Sequence, residues 1–85
     1  MERSCSESEV REAILEEGLR AWQRGEHANA RYSDVAIRLE IAKREVVRVA
    51  MRLSEDGLLR RTAIDLYRLT EVGASIAESE IEMGE

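Results

Sequence analysis

The sequence predicts a small, mostly α-helical domain with one β-hairpin, an α+β fold in the order helix, strand, helix, helix, hairpin, helix. Three observations predict it. Apolar residues recur at helical spacing in four stretches, and the pattern turns extended between Gly57 and Thr70. The 85 residues contain no proline, repeat or low-complexity linker, so the chain 1–85 reads as one domain with one core.

The first helix is expected over 6–24. Ser6-Glu7-Ser8-Glu9 has the S-x-x-E form of a capping box, in which serine and glutamate reach reciprocally for free N–H groups. Val10, Ile14, Leu15, Leu19 and Trp22 follow at helical spacing, with Trp22 read as a core anchor, and Gly25 is placed to end the helix. Gly18 inside it costs about 1 kcal/mol relative to alanine, which implies a closely packed neighbour or a tolerated loss. Residues 25–33 have no helical period; 30–32 read as a short extended piece leading to Ser33 as an N-cap.

Two helices joined by a short link are expected over 33–57. The first presents Val35, Ala36 and Leu39, Ile41 sits in the connection, and the second begins at Lys43, buries Val46, Val49, Ala50 and Leu53, and stops at Gly57. The hairpin spans 58–69, with strands at 58–61 and 66–69 and a link at 62–65. Thr70 caps a last helix over 70–83, in which Val72, Ile76 and Ile81 or Met83 form an apolar stripe while Glu78, Glu80 and Glu82 face outward.

Charge is distributed unevenly. Thirteen Lys/Arg against eighteen Asp/Glu give a net −5, yet residues 35–70 hold eight basic and five acidic residues. Residues 1–34 hold five arginines against eight acids, and 71–85 hold five glutamates and no base. An acidic shell thus encloses a basic middle third, the one segment suited to a polyanion. Apolar runs reach three residues, far short of the roughly 20 a membrane span needs, so no membrane association is expected. The single cysteine, Cys5, excludes an intrachain disulfide and suits a reducing, cytoplasmic setting; among Glu2, Glu7 and Glu9 it reads as a frayed, inert thiol. One histidine, His27, with no cysteine pair, glycine-rich phosphate loop or recognisable nucleophile motif, supports neither a metal site, a cofactor nor an enzyme.

Four pieces follow one another at set gaps: Ser-Asp-Val-Ala-Ile-Arg-Leu from Ser33, Ile-Ala-Lys-Arg-Glu-Val-Val-Arg from Ile41, Leu-Ser-Glu-Asp-Gly-Leu-Leu from Leu53, and Tyr-Arg-Leu-Thr-Glu-Val-Gly from Tyr67. Over this half of the chain the sequence resembles the winged helix-turn-helix transcription regulators, including small archaeal and phage repressors and the MarR-like group. The resemblance implies a prokaryotic or archaeal repressor-type regulator that binds double-stranded DNA as a homodimer through its first and last helices. Two departures stand out: Glu40 where the family often has glycine, and Ala42 where it often has a serine or threonine cap.

The residues point to the same surface. With Val46, Ala50 and Leu53 inward, the helical period turns Arg44, Val47, Arg48, Met51 and Arg52 outward, and Lys43 lies at the helix start. A helix fits the roughly 12 Å major groove, where arginine can donate two bonds to guanine or grip phosphate, and Arg44 and Arg48 are the best placed to read bases. Val47 either meets a thymine methyl group or packs on the preceding helix. The hairpin carries Arg60, Arg61 and Arg68, which the resemblance places along phosphates or in the minor groove; the alternative is pairing with Glu55, Asp56 or Asp65, and Asp65 brings a repulsive charge to the wing. A second function class stays open, a module that binds an acidic protein partner, which the low overall charge favours.

Overall fold

The computed structural model describes residues 5–25 and 28–82; His27 and Met83 lie outside them. Helix α1 (Glu7–Arg24) is followed by strand β1 (Ala30–Arg31), helices α2 (Tyr32–Leu39) and α3 (Lys43–Glu55), strands β2 (Leu59–Ala63) and β3 (Leu66–Leu69), and helix α4 (Glu71–Glu82). The strands form an antiparallel sheet in the order β1-β3-β2.

The ends of the helices follow from capping chemistry. At α1 both halves of the capping box form, the Glu9 N–H reaching Ser6 Oγ at 3.2 Å and the Ser6 N–H reaching Glu9 Oε1 at 3.4 Å. Helix α3 closes in a Schellman motif: Gly57 takes a left-handed φ of 79°, its N–H reaches Ser54 O at 3.0 Å, and the Leu58 N–H reaches Leu53 O at 2.9 Å. Helix α2 closes in the same motif with Glu40 at the left-handed position, φ 58°, where a side chain costs about 1 kcal/mol that glycine would not. The Glu40 N–H reaches Ile37 O at 3.2 Å and the Ile41 N–H reaches Ala36 O at 3.1 Å.

The core gathers one face of each element. Ile14 and Leu15 of α1, Val35 of α2, Val46 of α3, Leu59 of β2 and Tyr67 of β3 are its largest fully buried side chains. Tyr67 donates its hydroxyl to Ile14 O at 2.6 Å and stacks on Tyr32 at 5.0 Å between ring centroids. Burial pushes the Tyr67 phenol far above its ordinary range, so it remains a donor. Gly18 is the reason β3 fits: a Cβ there would stand 2.7 Å from Leu69 Cγ and 3.2 Å from Tyr67 Cε2. Its helix cost is therefore the condition for close packing. Gly73 plays the same part in α4, where a Cβ would fall 1.7 Å from the Leu58 carbonyl oxygen.

Several local expectations change. Helix α2 begins at Tyr32, one residue before Ser33, and Arg31 occupies the N-cap without a side-chain bond. Strand β2 runs to Ala63, so the hairpin link shrinks to Ile64 and Asp65, and a bulge falls between Arg61 and Ala63. In α4 the buried positions are Gly73, Ala74 and Ala77, while Val72 is 57% exposed and Ile76 half-buried. The close approach at Gly73 turns the helix toward its small residues. Trp22 is half-buried: it packs against the edge of the core and also carries Arg68, whose guanidinium lies 4.9 Å from its ring centroid. Cys5 is not frayed: it packs on the core, with Sγ 3.8 Å from Leu39 O.

Replacing Glu40 by glycine removes the left-handed strain without touching a buried group. Glu40→Gly is expected to raise stability by about 0.5–1 kcal/mol in urea unfolding, the sign opposite to that of glycine introduced elsewhere in a helix.

Candidate nucleic-acid interface

Helix α3 is the most amphipathic element, and its two faces separate cleanly. Val46, Val49, Ala50 and Leu53 are buried. Lys43, Arg44, Val47, Arg48, Met51, Arg52 and Glu55 line one open, shallow surface on the other side. All six α3 residues singled out in the sequence thus share a face. Val47 packs against the core while lining this surface. Met51 is 60% exposed, and Ile37 of the preceding helix 75%.

The cations of this face are not equally free. Lys43 Nζ lies 2.9 Å from Asp65 Oδ1 in the hairpin link, Arg48 pairs with Glu45 one turn earlier at 2.6 Å, and Arg52 pairs with Glu7 of α1 at 2.5 Å. Among the described residues Arg44 has no ion-pair or hydrogen-bond partner. It sits in the first turn of α3, where the helix dipole adds positive potential. The i, i+3 spacing of Glu45 and Arg48 could be read from sequence; the Lys43–Asp65 and Arg52–Glu7 pairs could not, because they join elements distant along the chain.

Asp65 has another task than the one expected. Its carboxylate accepts the Ser33 N–H at 3.1 Å and the Ser33 hydroxyl at 2.6 Å, and its carbonyl accepts the Tyr32 N–H at 3.0 Å. Asp65 therefore caps the first turn of α2 from the hairpin, a role that Arg31 at the N-cap leaves vacant. Its charge is turned onto Ser33 and Lys43, and these bonds hold its carboxyl below the usual aspartate range, the Ser33 hydroxyl bond contributing most.

The three hairpin arginines diverge. Arg60 and Arg68 are opposite one another in the β2–β3 register, whereas Arg61 is opposite Tyr67. Arg60 is exposed, with no partner among the described residues. Arg61 folds back to donate to Ala63 O at 3.2 Å and Ile64 O at 2.7 Å, pinning the turn, and lies 5.9 Å from the Tyr32 ring centroid. Arg68 is half-buried on Trp22 and donates to Gly25 O at 2.8 Å and Ala28 O at 2.7 Å, tying β3 to the segment after α1. The acids weighed as partners of Arg61 and Arg68 are thus replaced by backbone carbonyls. Among the described residues no group of three or more His, Cys, Asp or Glu could hold a metal ion, and no helix is long and apolar enough to cross a membrane.

Two helices joined by a three-residue turn, backed by α1 and flanked by a two-stranded wing whose inner strand also pairs with β1, define a winged helix-turn-helix. No protein-family model and no curated protein matches the chain. Among solved structures the fold is similar to that of Lactococcus lactis ZitR. A double mutant of ZitR in apo form gives a TM-score of 0.67 at 21% identity, over 92% of this chain and 58% of that one. Wild-type ZitR gives 0.67 at 18% identity, over 96% and 52%. Wild-type ZitR in complex with DNA gives 0.65 at 18% identity, over 96% and 54%. The chain thus spans little more than half the length of the structures it matches, and the likeness is one of fold.

The lowered Asp65 carboxyl fixes a sign. Its contribution to stability is full above the unfolded value of about pH 4 and is lost as pH falls through the lower folded value. Asp65→Ala is expected to be less stable than the wild type at pH 7 and to lose less additional stability on acidification to about pH 3, as read by urea unfolding at both pH values.

Proposed function

We propose that this protein is a sequence-specific double-stranded DNA-binding regulator that places α3 in the major groove. The observation that supports this best is the single open face on which Lys43, Arg44, Arg48 and Arg52 surround Val47 and Met51. Guanidinium groups suit guanine edges and phosphates, and the two apolar side chains suit thymine methyl groups. Arg44 and Arg48 read bases; Lys43, Arg52 and the exposed Arg60 grip phosphates. Arg61 and Arg68 contribute by holding the wing in place and meet DNA only through the guanidinium edges they leave open. ZitR, which shares the fold, has been solved in complex with DNA. The chain acts as a cytoplasmic repressor and not as an enzyme, and needs no cofactor.

The regulator works as a homodimer through α1 and α4. Support comes from α4, which Arg11 Nη1 ties to α1 through Glu80 at 2.6 Å while Val72 stays 57% exposed and Ile76 and Ile81 half-buried. Two recognition helices would then lie about 34 Å apart and select a pseudo-palindromic site. Sedimentation at micromolar concentration is expected to show a dimer that Val72→Glu converts to a monomer; a wild-type monomer would remove the two-half-site arrangement.

A second reading, binding of an acidic protein partner, is favoured by the exposed Ile37 and Met51 beside the arginines. Selection from a random duplex pool at low salt separates the two, since only a DNA-binding regulator enriches a dyad-symmetric motif. On that duplex, Arg44→Ala with Arg48→Ala is expected to weaken binding by more than about 30-fold with the fold intact by circular dichroism. Unchanged affinity would reject α3 as the reading helix.

A further inference from the structure

Three of the four cations of the α3 face end on an acid of the same chain, and Arg44 alone among them has no such partner among the described residues. Lys43 meets Asp65 from the wing link, Arg48 meets Glu45 from α3 itself, and Arg52 meets Glu7 from α1. Glu55 lines the same surface. Four cations thus share their surroundings with four carboxylates, so the face carries almost no net charge at a distance even though its guanidinium groups are open to solvent. Side-chain exposures of 63% for both Arg48 and Arg52 show that these pairs are surface pairs, which hold weakly and can be exchanged.

We infer that Glu7, Glu45 and Asp65 compete with DNA for Arg52, Arg48 and Lys43, an autoinhibitory screen on the α3 face; the inference rests on the duplex-binding reading above. A phosphate that takes Arg52 displaces Glu7, a base edge that takes Arg48 displaces Glu45, and each leaves the freed carboxylate close to the like charge of the DNA backbone. The freed carboxylate regains a counterion from solution, which offsets part of the counterion release that drives binding. Long-range attraction to any duplex is therefore reduced, and only a site that rewards α3 with short-range base contacts repays the exchange. The arrangement keeps an arginine-rich helix off bulk nucleic acid without removing its arginines.

The test uses Glu7→Gln, Glu45→Gln and Asp65→Asn, singly and together, against the selected duplex and a random duplex over a range of salt. Glu78→Gln serves as the control for net charge alone, because Glu78 is exposed on α4, which packs on α1 and β3. Each of the three neutralised variants is expected to tighten binding by about two- to fivefold and to steepen the log-log salt slope by up to about 0.9, on both duplexes. Glu78→Gln is expected to do less than any of them. Glu7→Gln and Glu45→Gln carry the test even if Asp65→Asn loosens the cap on α2, which thermal melts report. If wild type binds the selected duplex and the Glu7→Gln, Glu45→Gln double variant binds no tighter than Glu78→Gln, the screen is overturned while the DNA-binding reading stands. If neither wild type nor any variant binds duplex, both fall.

Discussion

The hydroxyl of Tyr67 bonded to the Ile14 carbonyl is the contact on which the rest of the structure hangs. Tyr67 lies in the central strand, so it joins the wing to α1, and its stacking on Tyr32 joins both to the start of α2. A buried phenol left without a partner would cost about 1–3 kcal/mol, and the bond is reached only because Gly18 clears the helix surface beside it. With β3 seated there, Leu69 fills the space over Gly18 and Arg68 is carried to Trp22. The wing is thereby held at a set angle to the helix-turn-helix.

A second junction does the same at the other end of the hairpin. The Leu58 N–H closes α3 on Leu53, the Leu58 carbonyl accepts the Thr70 N–H at 3.0 Å, and Gly73 lies against that carbonyl. Thr70 donates its hydroxyl to Gly57 O at 2.6 Å and accepts the Gly73 N–H at 3.0 Å, so the end of α3 and the start of α4 share one set of bonds. Asp65 then links the wing tip to Ser33 and Lys43 at the starts of α2 and α3. Helix α3 is thus braced at its C-terminus by α4, and the wing tip is tied to the start of α2. Rigid presentation of the outer face of α3 follows from its C-terminal brace and its buried face, since none of the surface ion pairs would hold α3 in place.

The acidic balance of the chain and its arginine face are compatible because they act over different distances. Exposed charges more than about 10 Å apart are largely screened at physiological salt, so the glutamates of α4 affect approach more than contact. The carboxylates that matter are those within bonding distance of the face.

Much of this architecture was legible in the residues. The capping box at Ser6, the period that buries Val46, Ala50 and Leu53, the stop at Gly57 and the extended run after it are local signals, and each is decided by neighbours within about four positions. The same locality made the outer face of α3 readable, because inward residues fix the outward ones on a helix. Legibility failed where a distant element intervened. Gly18 and Gly73 answer to Leu69 and Leu58, the start of α2 is capped by Asp65 from 32 residues away, and Arg68 is claimed by the Gly25 and Ala28 carbonyls. By itself the sequence determined the order of the elements and which side of α3 faces out, since both follow from periodicity and caps. Beyond the Glu45–Arg48 pair within α3, only the tertiary structure decided which of the exposed cations are held by acids and which, like Arg44, stand without a partner among the described residues, because ion pairing between elements depends on where the folded chain brings its charges together.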